Sequence, residues 1–543
     1  MRRRWRVFGL VASSVGVLGA SACGAGAADD WVGAPPQGHG GGSYADAGYN
    51  GYPTGGAGGA LSDAASESAL PPEQELGSSY ESPVATGRFV WVTNPASGRV
   101  AYVDASSLEV RTVLAGNGPR YLAAVPSSNA DVAVVVNTLS SDATILRASP
   151  DGTIETTTLR IATGANSWAM SHDGRWAIAW TDARLETGAS PLQGFQDVTA
   201  VDLTPGQERA TRLSVGYRPV ALSFSANDAA AYAVTHDGVS VLEFDGPGGP
   251  RATRVVPLTD DPLEDPDTRD VSITPDGAWA LVRRDGHAQV TVVSLSTGAL
   301  TTVPLPAPCT DLDLSPDGKL ALAVLRDLND IALLPVPAIA TSPDVYDLLH
   351  VDEATVGSIA IAPAASIALV YSNAVHEELI TSVGFDTTPA QVTTMRLHGA
   401  VQSVFPSYTG ASAIVVHQPI AGSPGAFSTL SLAPLLPARI QSTKAPITAV
   451  ALTPSGDRAV VAERSDLPQV YGAYLVRSGN QQVDRYELTS PPAAVGAVVG
   501  ANRAYVAQEH PEGRLTFIDL DTGLARTLTG FELGARVIDG SQP

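Results

Sequence analysis

The chain has 543 residues, too many for one ordinary core, yet its character does not change midway in a manner that would divide it into two unrelated domains. Hydrophobic residues make up 44% and charged residues only 16%, so much of the apolar material belongs in strands buried on both faces. A formal net charge of -22 repels nucleic acid and anionic lipid surfaces, which sets nucleic-acid binding aside.

At the start, Arg2, Arg3, Arg4 and Arg6 form a cationic stretch, and Val7 to Gly19 is an apolar run too short to span a bilayer. It closes with Ala20-Ser21-Ala22-Cys23, which resembles the lipobox of bacterial lipoproteins, with Ala20 where that family usually carries Leu. The resemblance implies a signal peptide over 1–22, cleavage before Cys23 and acylation of its thiol; an ordinary signal peptide cut after Ala22 is the alternative. Several acyl chains on one residue, at about 0.8 kcal/mol per buried methylene, anchor firmly. Gly24 follows the cysteine in place of Asp, which by the lipoprotein sorting rule implies the outer membrane of the cell envelope.

Residues 23–87 are Gly, Ala, Ser and Pro with scattered tyrosines, as in Gly40-Gly41-Gly42 and Gly55-Gly56-Ala57-Gly58-Gly59. Such a stretch buries too little apolar surface to offset its conformational entropy, so a disordered tether is expected. Only Cys309 accompanies Cys23, so an acylated chain has no internal disulfide. Cys309 opens an apolar strand pattern and reads as a small buried hydrophobe.

Residues 88–543 repeat one order of short strands. Phe89-Val90-Trp91-Val92-Thr93-Asn94 is followed by a turn at Pro95 to Gly98, then Val100-Ala101-Tyr102-Val103-Asp104, then Val110 to Leu114. The period is about 41 to 55 residues, that of a four-stranded propeller blade. Hairpin turns mark it at Ser171-His172-Asp173-Gly174, Thr274-Pro275-Asp276-Gly277, Ser315-Pro316-Asp317-Gly318 and Thr453-Pro454-Ser455-Gly456. In them Pro or Asp sets the corner and Gly takes positive φ. Degenerate versions stand at Ser127 to Asn129, Ala226 to Asp228, Pro363 to Ala365, Tyr408 to Gly410 and Gly500 to Asn502, each followed by an apolar strand.

Trp91-Val92-Thr93-Asn94, the S-P-D-G turns, and V-x-V-x-D at Val100 to Asp104 and Val198 to Asp202 resemble the YVTN-type β-propeller repeat family. The predicted fold is all-β: about ten units of four strands, closing into a ring of 7–10 blades or into two smaller rings, with one ring favoured. Stacking blades radially buries apolar faces that a lone blade leaves wet. The chain is expected to open with a second strand at Phe89 and to finish with a first strand at Leu533 to Ile538, so that one shared blade joins the termini.

Loops after second and fourth strands share one face, and the P-D-G turns lie on the other. Four long insertions, Thr181 to Gln196, Pro257 to Asp270, Asp344 to Gly357 and His417 to Ser428, gather on the first, which makes it the expected working surface. Candidate binding residues there are Arg184, Gln196, Asp260, Asp261, Glu264, Asp265 and Asp267, with Asp270 beside them. Oxygen ligands in that number suit a hard cation, but Pro262 and Pro266 and the lack of an EF-hand glycine favour a solvated acidic loop or a basic partner. His236, His287, His376, His417 and His510 recur near the ends of second strands; convergent imidazoles bind transition metals, whereas unequal offsets favour polar turn residues.

Catalytic motifs of metalloproteases, haem proteins, serine hydrolases and nucleotide enzymes are missing, and no cofactor is expected. The leading expectation is an envelope-anchored propeller that binds a protein, peptide or glycan through its long-loop face. The alternative is a lactonase-like or metal-dependent hydrolytic enzyme working at the central channel, an activity implied by the repeat-family resemblance alone.

Overall fold

The computed structural model describes residues 83–126, 130–182, 185, 195–246, 248–261, 263–419, 422–433 and 435–530. Among them, strands form ten four-stranded antiparallel sheets, each pairing its strands in chain order. The blades span 84–114, 119–160, 167–214, 221–256, 269–304, 311–350, 358–396, 401–443, 447–487 and 492–529. The ring therefore has ten blades, which settles the open count and excludes two smaller rings. Signal peptide, Cys23 and most of the expected tether lie outside the described residues, as does the turn at Ser127 to Asn129.

Second strands such as Val132–Asn137 and Trp176–Trp180 are buried along their whole length, because each lies mid-sheet with a neighbouring blade on both sides. Outer strands such as Arg251–Val256 are exposed until their last residue and carry the Thr and Arg of the repeat. Every hydrophobic cluster joins two consecutive blades. Trp91 and Tyr102 of blade 1 meet Val135 and Leu146 of blade 2, and Leu281 and Val292 of blade 5 meet Leu312 and Leu334 of blade 6. Seven more clusters repeat this at the other internal junctions. A tenth closes the circle, packing Val90 and Val103 of blade 1 on Tyr505 and Phe517 of blade 10. With roughly 1.5–3 kcal/mol for each fully buried Val, Leu or Ile, these junctions dominate the energetics.

A polar clamp recurs across the junctions. Arg147 donates to Leu203 O at 2.6 Å, Arg254 to Leu295 O at 2.7 Å and Arg458 to Leu520 O at 3.2 Å. In each case the carbonyl follows the third strand of the next blade. At the closing junction Arg503 does the same to Ala105 O at 2.6 Å, so that junction is built like the internal ones.

The shared blade is corrected. Val84–Ala85 forms the inner strand of blade 1, antiparallel to the second strand with Val84 opposite Trp91 and Ala85 opposite Val90. Each described blade is thus contiguous in sequence, and side-chain packing with the Arg503 clamp joins blade 10 to blade 1. Leu533 to Ile538 lies outside the described residues.

The expected turns join first to second strands. In three of them the first hydroxyl, Ser171, Thr274 or Ser315, accepts the N–H five residues on at 2.8 to 3.0 Å and donates to the Asp two residues on at 2.6 to 2.8 Å. These turns also grip one another across blades. Asp228 accepts the N–H groups of His172 and Asp173 at 2.9 and 2.8 Å, and Ala226 N donates to Pro275 O at 2.7 Å. Gly174 has φ +69°, and a Cβ there would collide with Pro126 O of the preceding blade. At the closing junction a Cβ on Gly500 would collide with Gly87 O. This face of the disc is a locked collar.

Candidate functional site: the open face and its charged rim

In a meander of four antiparallel strands, the second-to-third and fourth-to-first connections leave from the end opposite the collar. This open face carries fewer long insertions than expected. His417 ends one strand and Ser428 lies inside the next, Gly425–Leu432, so that connection shortens to 418–424. Asp347–His350 is the outer strand of blade 6, which leaves 351–357 on the open face and moves the extra length, 336–346, to the collar side. Blade 9 adds a hairpin that the sequence reading missed: Arg458–Asp466 and Gln469–Arg477 have nine residues each where the corresponding strands of blade 10 have six. Arg184 lies outside the described residues, and Gln196 donates to Val215 O at 3.5 Å.

Just below the open face a polar latch recurs at the ends of second strands. Asn137 donates to Ala115 O at 3.3 Å and Thr144 Oγ1 at 3.0 Å. Arg284 donates to Leu258 O at 2.9 Å and Thr291 Oγ1 at 2.8 Å. His417 Nδ1 contacts Ala400 O at 3.3 Å and Nε2 contacts Ser428 Oγ at 2.7 Å. Gln508 donates to Thr516 Oγ1 at 2.7 Å and accepts from Ser490 N at 3.3 Å. Each ties the incoming crossover to the second and third strands. At the same level Glu463, fully buried, accepts from Lys444 N at 2.7 Å, Ala445 N at 3.1 Å and the Tyr474 hydroxyl at 2.9 Å, and pairs with Arg485 at 2.7 Å. The last residue of the V-T-N pattern stands at this latch position.

His417 is therefore part of the scaffold, and burial pushes its imidazole below the usual value. The other candidate histidines stand apart. His236 lies 3.4 Å from Asp267 and is also pushed down by burial, against the pull of that carboxylate. Exposed His287 sits 3.1 Å from Asp285 O, His376 3.9 Å from Glu378, and His510 accepts from Glu512 N at 3.2 Å. Among the described residues no three His, Cys, Asp or Glu side chains gather in a geometry that holds a metal ion.

The acidic insertion divides in two. Asp260, Asp261, Asp265 and Asp267 are exposed, with Asp261 accepting from Leu263 N at 2.9 Å and Asp265 from Asp267 N at 3.0 Å. Glu264 turns inward between Arg269 at 3.3 Å and Arg284 at 2.7 Å. Asp270, on the inner strand of blade 5, faces Arg283 at 3.5 Å. Burial pushes its carboxyl up to about 7, with Arg283 opposing and Asp311 reinforcing. Cys309 is buried as expected; its thiol contacts Asp311 O at 3.1 Å and is pushed up to about 12 by burial. The arginine partners went unnoticed in the sequence, where Arg283-Arg284 at the end of an apolar strand was the available signal.

Among the described residues, charged side chains with a buried atom that makes no hydrogen bond within the protein include Arg218 Nε, Glu264 Oε1, Asp270 Oδ1, Arg283 Nε and Arg326 Nε. All lie on open-face connections or strand ends of blades 4 to 6. Beside them runs an aromatic row, with Phe195 and Tyr217 ring centroids 6.4 Å apart, Tyr217 and His236 5.9 Å apart, and Arg218 5.7 Å over the Phe195 ring. Arg218 holds φ at +52°, a costly conformation for a residue with a side chain. Buried polar atoms that make no hydrogen bond within the protein, a strained backbone and stacked rings in one arc are chemistry for holding a polar ligand.

No family model and no curated protein matches the chain. Among solved structures, the dihydro-heme d1 dehydrogenase NirN in complex with DHE is similar at 14% identity and a TM-score of 0.41, over 73% of this chain and 72% of that one. Hydrazine synthase of Kuenenia stuttgartiensis is similar at 13% identity and 0.32, over 68% and 96%. Apo AztD from Citrobacter koseri is similar at 12% identity and 0.36, over 59% and 86%. None of these likenesses carries an activity or a ligand over to this chain.

Proposed function

We propose that this chain is an exported, lipid-anchored propeller of the YVTN type that holds a protein, peptide or glycan partner on its open face, at the arc of blades 4 to 6. The observation that carries this reading is the concentration there of charged side chains with a buried atom that makes no hydrogen bond within the protein. Elsewhere in the ring such atoms belong to uncharged residues, Asn137, Ser140, Trp180, Thr181, Ser372, Thr429, Thr448 and Ser478. The aromatic row offers flat apolar surface beside those charges, the composition of a site that orients a polar ligand. Anchoring through Cys23 is checked by the intact mass of the exported chain, which should begin at Cys23 and carry the added acyl chains.

The test neutralises the exposed part of the arc. Asp260→Asn, Asp261→Asn, Asp265→Asn and Asp267→Asn together leave the Glu264 and Asp270 pairs intact and preserve the turn-capping oxygens. The expected outcome is loss of capture of the envelope partner with an unchanged melting temperature. Undiminished capture would remove this arc from the binding site.

A further inference from the structure

The three most exposed large aliphatic side chains among the described residues are Leu467 at 93%, Leu263 at 90% and Leu139 at 80%. All three stand on open-face connections: Leu139 in blade 2, Leu263 in the crossover from blade 4 to blade 5, and Leu467 at the tip of the long blade 9 hairpin. That hairpin continues past the Glu463 latch by three residue pairs, Arg464 with Tyr471, Ser465 with Val470 and Asp466 with Gln469. Three pairs extend roughly 10 Å at about 3.3 Å per residue. The spur is also braced sideways. Arg464 bonds Asp466 at 3.1 Å within it and grips both oxygens of Glu509 in blade 10, at 2.6 and 3.2 Å.

We propose that this spur anchors a docking surface for a basic protein, with Leu467 seated in an apolar socket of the partner and the carboxylates beside it facing cations at the socket's border. The proposal rests on the open face being the working surface and uses a part of it separate from the blade 4 to 6 arc. A braced hairpin loses little freedom on binding, so burying its leucine adds to affinity without an ordering cost. One guanidinium, Arg464, stands between two carboxylates, Asp466 and Glu509, which leaves net negative charge next to the leucine. Together with the net charge of -22, this favours a cationic protein over a lipid surface.

The test uses the full chain carrying Cys23→Ser, which removes the acylation site, and an amphipathic helical peptide of Lys and Leu as the probe. Leu467→Ser is expected to weaken peptide binding by about tenfold, equivalent to about 1.4 kcal/mol. Asp466→Asn is expected to weaken it less, with the difference shrinking as salt rises. Equal binding by Leu467→Ser, or equal binding of a peptide with Ser in place of Leu, overturns the proposal. So does Leu467-dependent attachment to phosphatidylcholine vesicles, or Leu467-dependent self-association, in place of peptide binding. The four-Asn variant of the arc distinguishes the two readings: it loses the envelope partner if the arc binds it, while Leu467→Ser still weakens the peptide.

Discussion

A carboxyl group facing one guanidinium and a second carboxylate inside a blade junction titrates where a surface Asp does not. Asp270 ionises near 7 in the fold and near 3.8 when unfolded, so its neutral form is the one the fold favours. Its contribution to stability is full below the unfolded value, declines as pH rises from about 4 to 7, and is flat above that. At 1.36 kcal/mol per unit, the decline is on the order of 4 kcal/mol. Asp270→Asn should flatten this part of the profile, and the difference in urea midpoint between variant and parent at pH 5 and pH 8 checks it. Glu463 is a different kind of buried carboxylate, held by two backbone N–H groups, the Tyr474 hydroxyl and the Arg485 guanidinium. Glu463→Ala removes the acceptor of the Tyr474 hydroxyl and of the Lys444 and Ala445 N–H groups and leaves Arg485 with Glu487 alone, and should cost about 3 kcal/mol in equilibrium unfolding. Neither role was legible in the sequence. Asp270 read as one of a run of acids and Glu463 drew no reading, because their partners are supplied by packing between elements.

At the scale of the element, the collar turns were legible and the latch was not. A turn is fixed by adjacent residues, so Ser315, Asp317 and Gly318 declare it locally. The latch joins three segments, so its position appears in the sequence only as a polar residue of changing type: Asn137, Arg284, His417, Gln508. His417 attracted a metal reading for that reason. Val84–Ala85 escaped notice because two residues carry no alternation. Ser315→Ala removes both bonds of its turn hydroxyl and should cost about 1 kcal/mol. Gly174→Ala should cost more, since it adds a collision with Pro126 O to an unfavourable φ. Thermal melts of the two variants rank them.

For the whole molecule, the repeat made the ten units legible, while the manner of closure depended on contacts between the two ends of the chain. The closing junction matches the internal ones in core and clamp, so damage there should resemble damage elsewhere. Phe517→Ala at the seal should cost about 3–5 kcal/mol and Leu281→Ala, inside the ring, about 2–5 kcal/mol. Unfolding monitored by two probes should remain coincident in both; early release of blade 1 or blade 10 in the first variant alone would show that the seal is a weaker joint.

The register of Val84 opposite Trp91 also fixes where the chain comes in. Running back from Val84, the backbone points toward the end of the second strand, and the last described residue, Gly530, follows an outer strand that finishes at the same end. Both termini of the disc thus leave on the side that bears the aromatic row and the spur, and none on the collar. Whatever is joined to either end of the disc is therefore attached on the face of the Leu467 hairpin, and a tag or fusion placed at either end should crowd that face and spare the collar.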